Sequence, residues 1–145
     1  MPTNQPDWQL VANLGDRNPI DHGGYFVFTD RTGVYPPEAE LLVPPDENGT
    51  RKWEVRRFLL EPCTYINGIL SDNKFHPEHP AWFADSLDEV ASTMGINVDD
   101  LITLFLSNNP IDRAQAWRMI GDYHGFDNLD SYPEYYTRKE VESRY

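Results

Sequence analysis

At 145 residues with a formal net charge of −12, the chain is sized for one domain and carries an acidic surface that repels phosphate backbones and attracts basic partners. Its 39% hydrophobic and 13% aromatic content excludes a chain disordered throughout. The lone Cys63 excludes an intrachain disulfide framework; Met1 to Asp7 lacks the basic and apolar character of a signal peptide, and no apolar run is long enough for a bilayer, so the expected compartment is the cytoplasm.

The first half reads as strands. Trp8 to Leu14 alternates as a first strand ending at Gly15-Asp16. Gly23-Gly24 opens the β-branched and aromatic run Tyr25 to Thr29. Asp30-Arg31-Thr32-Gly33 places Asp first and Gly fourth, as a type I turn prefers. Val34-Tyr35 would resume the strand, but Pro36-Pro37 cannot donate to a ladder. Glu38 to Val43 is therefore read as an edge segment. Pro44 to Gly49 is a loop by composition. Lys52 to Leu60 is the last strand, and the adjacent Arg56-Arg57 points to a bulge or an edge.

The second half reads as helices. Ser86 and Glu89 form a capping box before Leu87, Val90, Ala91 and Met94, and Gly95 stands at the C′ position. A helix from about Asn97 carries Val98, Leu101, Ile102, Leu104, Phe105 and Leu106, an apolar face wide enough to predict near-complete burial. Asn109-Pro110 caps a third helix that buries Ile111, Ala114, Trp117 and Ile120 and fades by Gly125. Thr137 and Glu140 form a capping box for a short C-terminal helix. Strands followed by helices give an α+β fold: an N-terminal antiparallel meander of about three to five strands, then about three to four helices packed on the sheet. Residues 1–145 are expected to form a single domain, strand-rich over 8–62, loop over 63–85 and helix-rich over 86–145, with no internal repeat.

Candidate chemistry is sparse. Ser71 to Trp82 holds His76 and His79, flanked by Asp72 and Glu78, the ligand types of a divalent transition metal. Each histidine precedes a proline, so the backbone is extended and the two positions lie roughly 9 Å apart. A shared metal would need, beside Asp72, further ligands such as Cys63, His22 or His124 brought in by the fold; otherwise this is a proline-braced loop whose imidazoles hydrogen-bond nearby backbone. Asp21-His22-Gly23-Gly24 could place a base beside an anion-binding backbone, but the simpler reading is a turn that starts a strand. Ser71 to Lys74 matches fragments of serine penicillin-recognising motifs, without the companion strand they require. No Walker A, dinucleotide or nucleophile-elbow pattern occurs.

The helices over 87–94 and 98–106, joined by Gly95-Ile96-Asn97, resemble a helix-turn-helix. The second helix begins Val98-Asp99-Asp100 and has no Lys or Arg, which opposes the phosphate contacts on which DNA affinity depends, so direct nucleic-acid binding is not expected. The basic strand Arg51 to Arg57 could take an acidic ligand, yet cross-strand pairing with nearby acids is the commoner fate of such charges. Acids outnumber bases eight to two in residues 1–50 and nine to two in 81–133. Tyr123 to Tyr136 mixes rings and acids, with Asp127, Asp130, Tyr132, Tyr135 and Tyr136 as candidate partner-binding residues.

Together these features favour a non-enzymatic acidic binding or regulatory protein that recognises a protein with a basic surface, one version being imitation of DNA charge. No cofactor is expected on that reading. The alternatives are a divalent transition metal centre at His76 and His79, used for binding or for catalysis, and DNA binding through the helix pair at 87–106. Oligomeric state is not encoded in any pattern found.

Overall fold

The computed structural model describes residues 5–15, 17–48, 51–60, 87–125 and 132–145. The fold is α+β. The chain falls into two compact units, one formed by 1–60 with 130–145 and the other by 61–129.

The first unit is a five-stranded antiparallel meander in the order β1-β2-β3-β4-β5. Its strands are β1 (Trp8–Asn13), β2 (Gly24–Asp30), β3 (Glu38–Val43), β4 (Trp53–Leu59) and β5 (Pro133–Tyr136). A short helix, α1 (Pro19–His22), precedes β2, and α5 (Arg138–Arg144) follows β5. Three expectations are corrected here. First, β3 is the central strand and not an edge, because Pro36 and Pro37 lie outside its ladder and leave both sides free to pair. Second, β4 is neither bulged nor at an edge: it pairs continuously with β3 and then with β5. Arg56 and Arg57 sit side by side because alternation sends them to opposite faces. The bulge is in β1, where the register shifts between Leu10 and Ala12. Third, Val34 and Tyr35 do not resume a strand. Their amides, with those of Asp7 and Thr32, donate to the Asp30 carboxylate, so the loop after the Asp30–Gly33 turn is organised around a side chain instead of a ladder. Burial alone would raise the Asp30 carboxyl, but the Thr32 hydroxyl and these amides outweigh it and hold the group well below the ordinary carboxylate range.

Cross-strand register and the two-residue alternation put Phe26, Phe28, Glu38, Glu40, Leu42, Val55, Arg57, Glu134 and Tyr136 on one face. The core of the unit lies there: Phe26, Phe28, Leu42, Val55 and Val141, with Trp8, Ile20, Trp53, Tyr136 and Tyr145 packed around them. The Trp53 indole N–H donates to the Ile20 carbonyl at 3.1 Å, fixing α1 against this face. Gly23 is dictated by the same join. Its φ is +81°, and a Cβ there would stand 2.5 Å from the Leu42 carbonyl oxygen, so only glycine fits. Asp21 and His22, read as part of a turn, are the last two residues of α1.

The capping box of α5 is formed in both directions between Thr137 and Glu140. It starts the helix at the point from which Val141, Arg144 and Tyr145 reach the sheet.

The second unit contains α2 (Leu87–Met94), α3 (Val98–Leu106) and α4 (Pro110–His124), which pack on one another. Asn97 and Asn109 cap α3 and α4 by accepting the amides of Asp99 and Ile111. Gly95 takes the left-handed conformation expected at the end of α2. Ser86, the proposed cap of α2, lies outside the described residues. Leu87, Val90, Ala91, Leu101, Phe105, Ala114, Ala116 and Ile120 are buried, and the Phe105 and Trp117 rings meet edge to face at 5.6 Å. α3 departs from expectation. Leu101 and Phe105 are its buried residues, whereas Leu106 is exposed. Positions four apart share a stripe, and the next residue lies about 100° around the helix, so one buried stripe cannot hold them all. Arg113 is buried and donates to the Ser107 carbonyl at 2.7 Å, a cation placed at the carbonyl end of α3.

Candidate functional site

The densest polar structure on the sheet is built around Glu40. Its side chain is 2% exposed, although it sits in the middle of a strand. Alternation aims it at the same face as its cross-strand neighbours Phe26 and Arg57. The Arg57 Nε donates to it at 2.8 Å. Arg144 of α5 donates from Nε at 3.0 Å and again from Nη2, and the Tyr145 hydroxyl donates at 2.7 Å. Burial by itself would push the Glu40 carboxyl up; the bonds from Arg144 and Tyr145, the Arg144 charge and the bond from Arg57 together hold it below its ordinary value. Arg57 also donates to Glu134 and, at 2.8 Å, to the Tyr136 hydroxyl, which itself donates to Glu134 at 2.6 Å. The Arg144 guanidinium rests among the rings of Phe28, Tyr136 and Tyr145, 5.5 to 6.0 Å from their centroids.

This network lines one side of a cavity of about 210 Å³, whose walls are Trp8, Phe28, Glu38, Glu40, Arg57 and Arg144. Burial raises the Glu38 carboxyl, opposed by Arg57 and Arg144 and reinforced by Glu40 and Glu134. The cross-strand fate expected for the basic strand is realised in the Arg57–Glu40 pair. The burial of Glu40 is not legible in Glu38-Ala39-Glu40, where acids read as solvent-facing.

The candidate partner-binding residues divide. Tyr132 and Tyr135 are 89% and 57% exposed, and the carboxylate between them, Glu134, has half its side chain in solvent. Tyr136 turns inward into the Arg57–Glu134 network. Asp127 and Asp130 lie outside the described residues. β5 ends the sheet order, so its outer edge presents backbone groups that no described strand pairs.

In the helical unit the first turns of α2 and α3 expose Asp88, Glu89, Asp99 and Asp100. Asp88, Glu89, Ser92, Thr93 and Tyr123 line an open groove of about 330 Å³. The Tyr123 hydroxyl donates to Glu89 at 2.6 Å, a bond that raises the pKa of the phenol. The bases within 87–125 are Arg113, which is buried, and Arg118. Each helix of the pair that resembles a helix-turn-helix therefore begins with exposed acids.

Of the proposed metal ligands, Cys63, Asp72, His76 and His79 lie outside the described residues, and His22 is exposed at the end of α1. Among the described residues no group of three or more His, Cys, Asp or Glu side chains could hold a metal ion. No helix among them is long and apolar enough to cross a membrane. Comparison with protein-family models, curated proteins and solved structures gives no match.

Proposed function

We propose that this chain is a non-enzymatic acidic binding protein that recognises a protein with a basic surface. The observation that carries this reading is the exposure of Tyr132, just before β5, and of Tyr135 within that sheet-edge strand, at 89% and 57%. A tyrosine held in water presents a large ring with few rotatable bonds, so covering it with a partner buries apolar area at small entropic cost. The net charge of −12 favours a basic partner, and the outer edge of β5, which no described strand pairs, can add main-chain hydrogen bonds. Exposed acids on α2 and α3 extend the same preference to the helical unit. They also weigh against direct contact with nucleic acid. The cytoplasm is the compartment in which we place this activity.

The test is capture from a cell extract with wild-type protein and with the Tyr132→Ala/Tyr135→Ala double variant, each at low and at moderate salt. Basic proteins retained by the wild type are expected to be lost from the double variant, and to be released from the wild type as salt screens the charges. Losing two interface tyrosines should weaken a true partner by about 2 kcal/mol or more. An identical set of captured proteins with both forms, or one indifferent to salt, would remove the basis of the proposal.

A further inference from the structure

The cavity on the sheet face stands apart from the exposed tyrosines, and its chemistry points to a ligand without any appeal to a protein partner. Its volume of about 210 Å³ exceeds that of engineered cavities of about 150 Å³ that admit benzene. Its walls divide into rings, Trp8 and Phe28, and charges, Glu38, Glu40, Arg57 and Arg144.

Most of that charge is already committed. Both oxygens of Glu40 are occupied by Arg57, Arg144 and Tyr145. Arg57 spends its remaining nitrogens on Glu134 and Tyr136. The two guanidinium charges are thus matched by the Glu40 and Glu134 carboxylates. Glu38 is different. It is directly opposite Phe28 on β2 and Leu59 on β4, is half-buried, and has no side-chain hydrogen bond or ion pair among the described residues. It is the cavity's carboxylate without a hydrogen-bonded partner among the described residues, although the Arg57 and Arg144 charges act on it.

We propose that this cavity binds a small organic monocation, with an ammonium or guanidinium group held by the Glu38 carboxylate and its apolar part lying against Trp8 and Phe28. A half-buried carboxylate gains most from a partner that donates hydrogen bonds and brings the opposite charge, and the Trp8 ring favours cations over neutral molecules, the Phe28 ring being already faced by the Arg144 guanidinium. A divalent metal ion fits poorly, because it needs several free oxygen ligands and the lining has one uncommitted carboxylate beside two arginines. An anion would meet the Glu38 and Glu40 carboxylates in the cavity wall, and Arg57 and Arg144 already hold Glu134 and Glu40. The charged groups that act on Glu38 are Glu40 on β3, Arg57 on β4, Glu134 on β5 and Arg144 on α5; β2 places the uncharged Phe28 opposite it. Burial and the two acids keep its proton on to higher pH than usual, so cation binding strengthens as pH rises through that range.

The experiment is an NMR titration of the intact protein with n-butylammonium and n-butylguanidinium, using butanol as the neutral probe and butyrate as the anionic one. The Trp8 indole N–H is the reporter. Saturable shifts with the cations in the millimolar range, weakened about tenfold by Glu38→Gln and weakened again on acidification, are expected. Gln keeps the shape of Glu, and removing a carboxyl penalised by burial should leave Tm unchanged or raise it, so the variant remains readable. Trp8→Leu provides a second variant, expected to weaken the cations several-fold through loss of the ring. Equal response to butanol, preference for butyrate, no saturable cation shift, or undiminished affinity in Glu38→Gln each overturns the assignment. None of these outcomes depends on whether a protein partner is found.

Discussion

Replacing Glu40 with alanine is expected to lower the stability of the protein by about 3 kcal/mol, because it removes the buried member of an ion network and leaves its cations in place. The carboxylate is 2% exposed, whereas the Arg57 and Arg144 side chains are 30% and 34% exposed. Water can therefore recover part of the loss at the guanidinium groups, which places the effect at the lower end of the range for broken buried pairs. Urea denaturation is the measurement: the midpoint should fall while the slope stays constant. The pH dependence follows from the direction of the Glu40 shift. A carboxyl held below its ordinary value contributes stability that is fully present above the unfolded carboxylate pKa and is lost as pH falls through the folded one. The wild type should consequently lose stability on acidification faster than Glu40→Ala, whose curve lacks this contribution. Glu38 acts in the opposite sense. Its raised carboxyl favours the folded state at low pH and loses that contribution as pH rises. The two acids sit two residues apart on one strand and one face, yet titrate with opposite consequences.

Phe26→Ala should be the most damaging single truncation in the sheet unit, at about 4 kcal/mol. Phe26 is 1% exposed, lies in the core cluster with Leu42, Val55 and Val141, and stacks on Tyr145 at 4.2 Å between ring centroids. Its loss opens a void beneath α5 that the surrounding β-branched residues cannot refill without leaving their rotamers. Phe26 and Glu40 are also cross-strand neighbours, and both hold Tyr145. The double substitution should cost less than the sum of the two single ones, since each already loosens the helix that the other supports. Urea denaturation of the two single variants and the double variant measures this. Strict additivity would mean that α5 does not join these two residues into one unit.

Local structure was largely legible because its causes are local. Asn97, Asn109, Thr137 with Glu140, and Gly95 announce helix boundaries through groups within about four residues of the event they cause. The strand Tyr25 to Thr29 follows likewise from its own side chains. Asn18-Pro19 carries the same cap-and-proline signal as Asn109-Pro110, and α1 could have been read from it; its brevity hid it. β5 was hidden more deeply. Pro133-Glu134-Tyr135-Tyr136 is too short for alternation to register, and its pairing with β4 joins residues far apart in the chain. Of the Glu40 network only the cross-strand pairing with Arg57 was legible, because Arg144 and Tyr145 stand 104 and 105 residues away from it. Charge on a strand reads as solvent-facing until the topology supplies a cation to meet it. The same distance conceals the cavity, since Glu38 becomes conspicuous only once every neighbouring charge is seen to be occupied.

An NMR titration of the intact chain with a basic protein recovered by capture examines the proposed function most directly. Amide shifts should concentrate at Tyr132, Glu134 and Tyr135, with a second set at the starts of α2 and α3, and all should collapse as ionic strength rises. Shifts that persist in high salt, or that gather around His22 while the β5 edge stays silent, would contradict recognition through exposed rings and carboxylates.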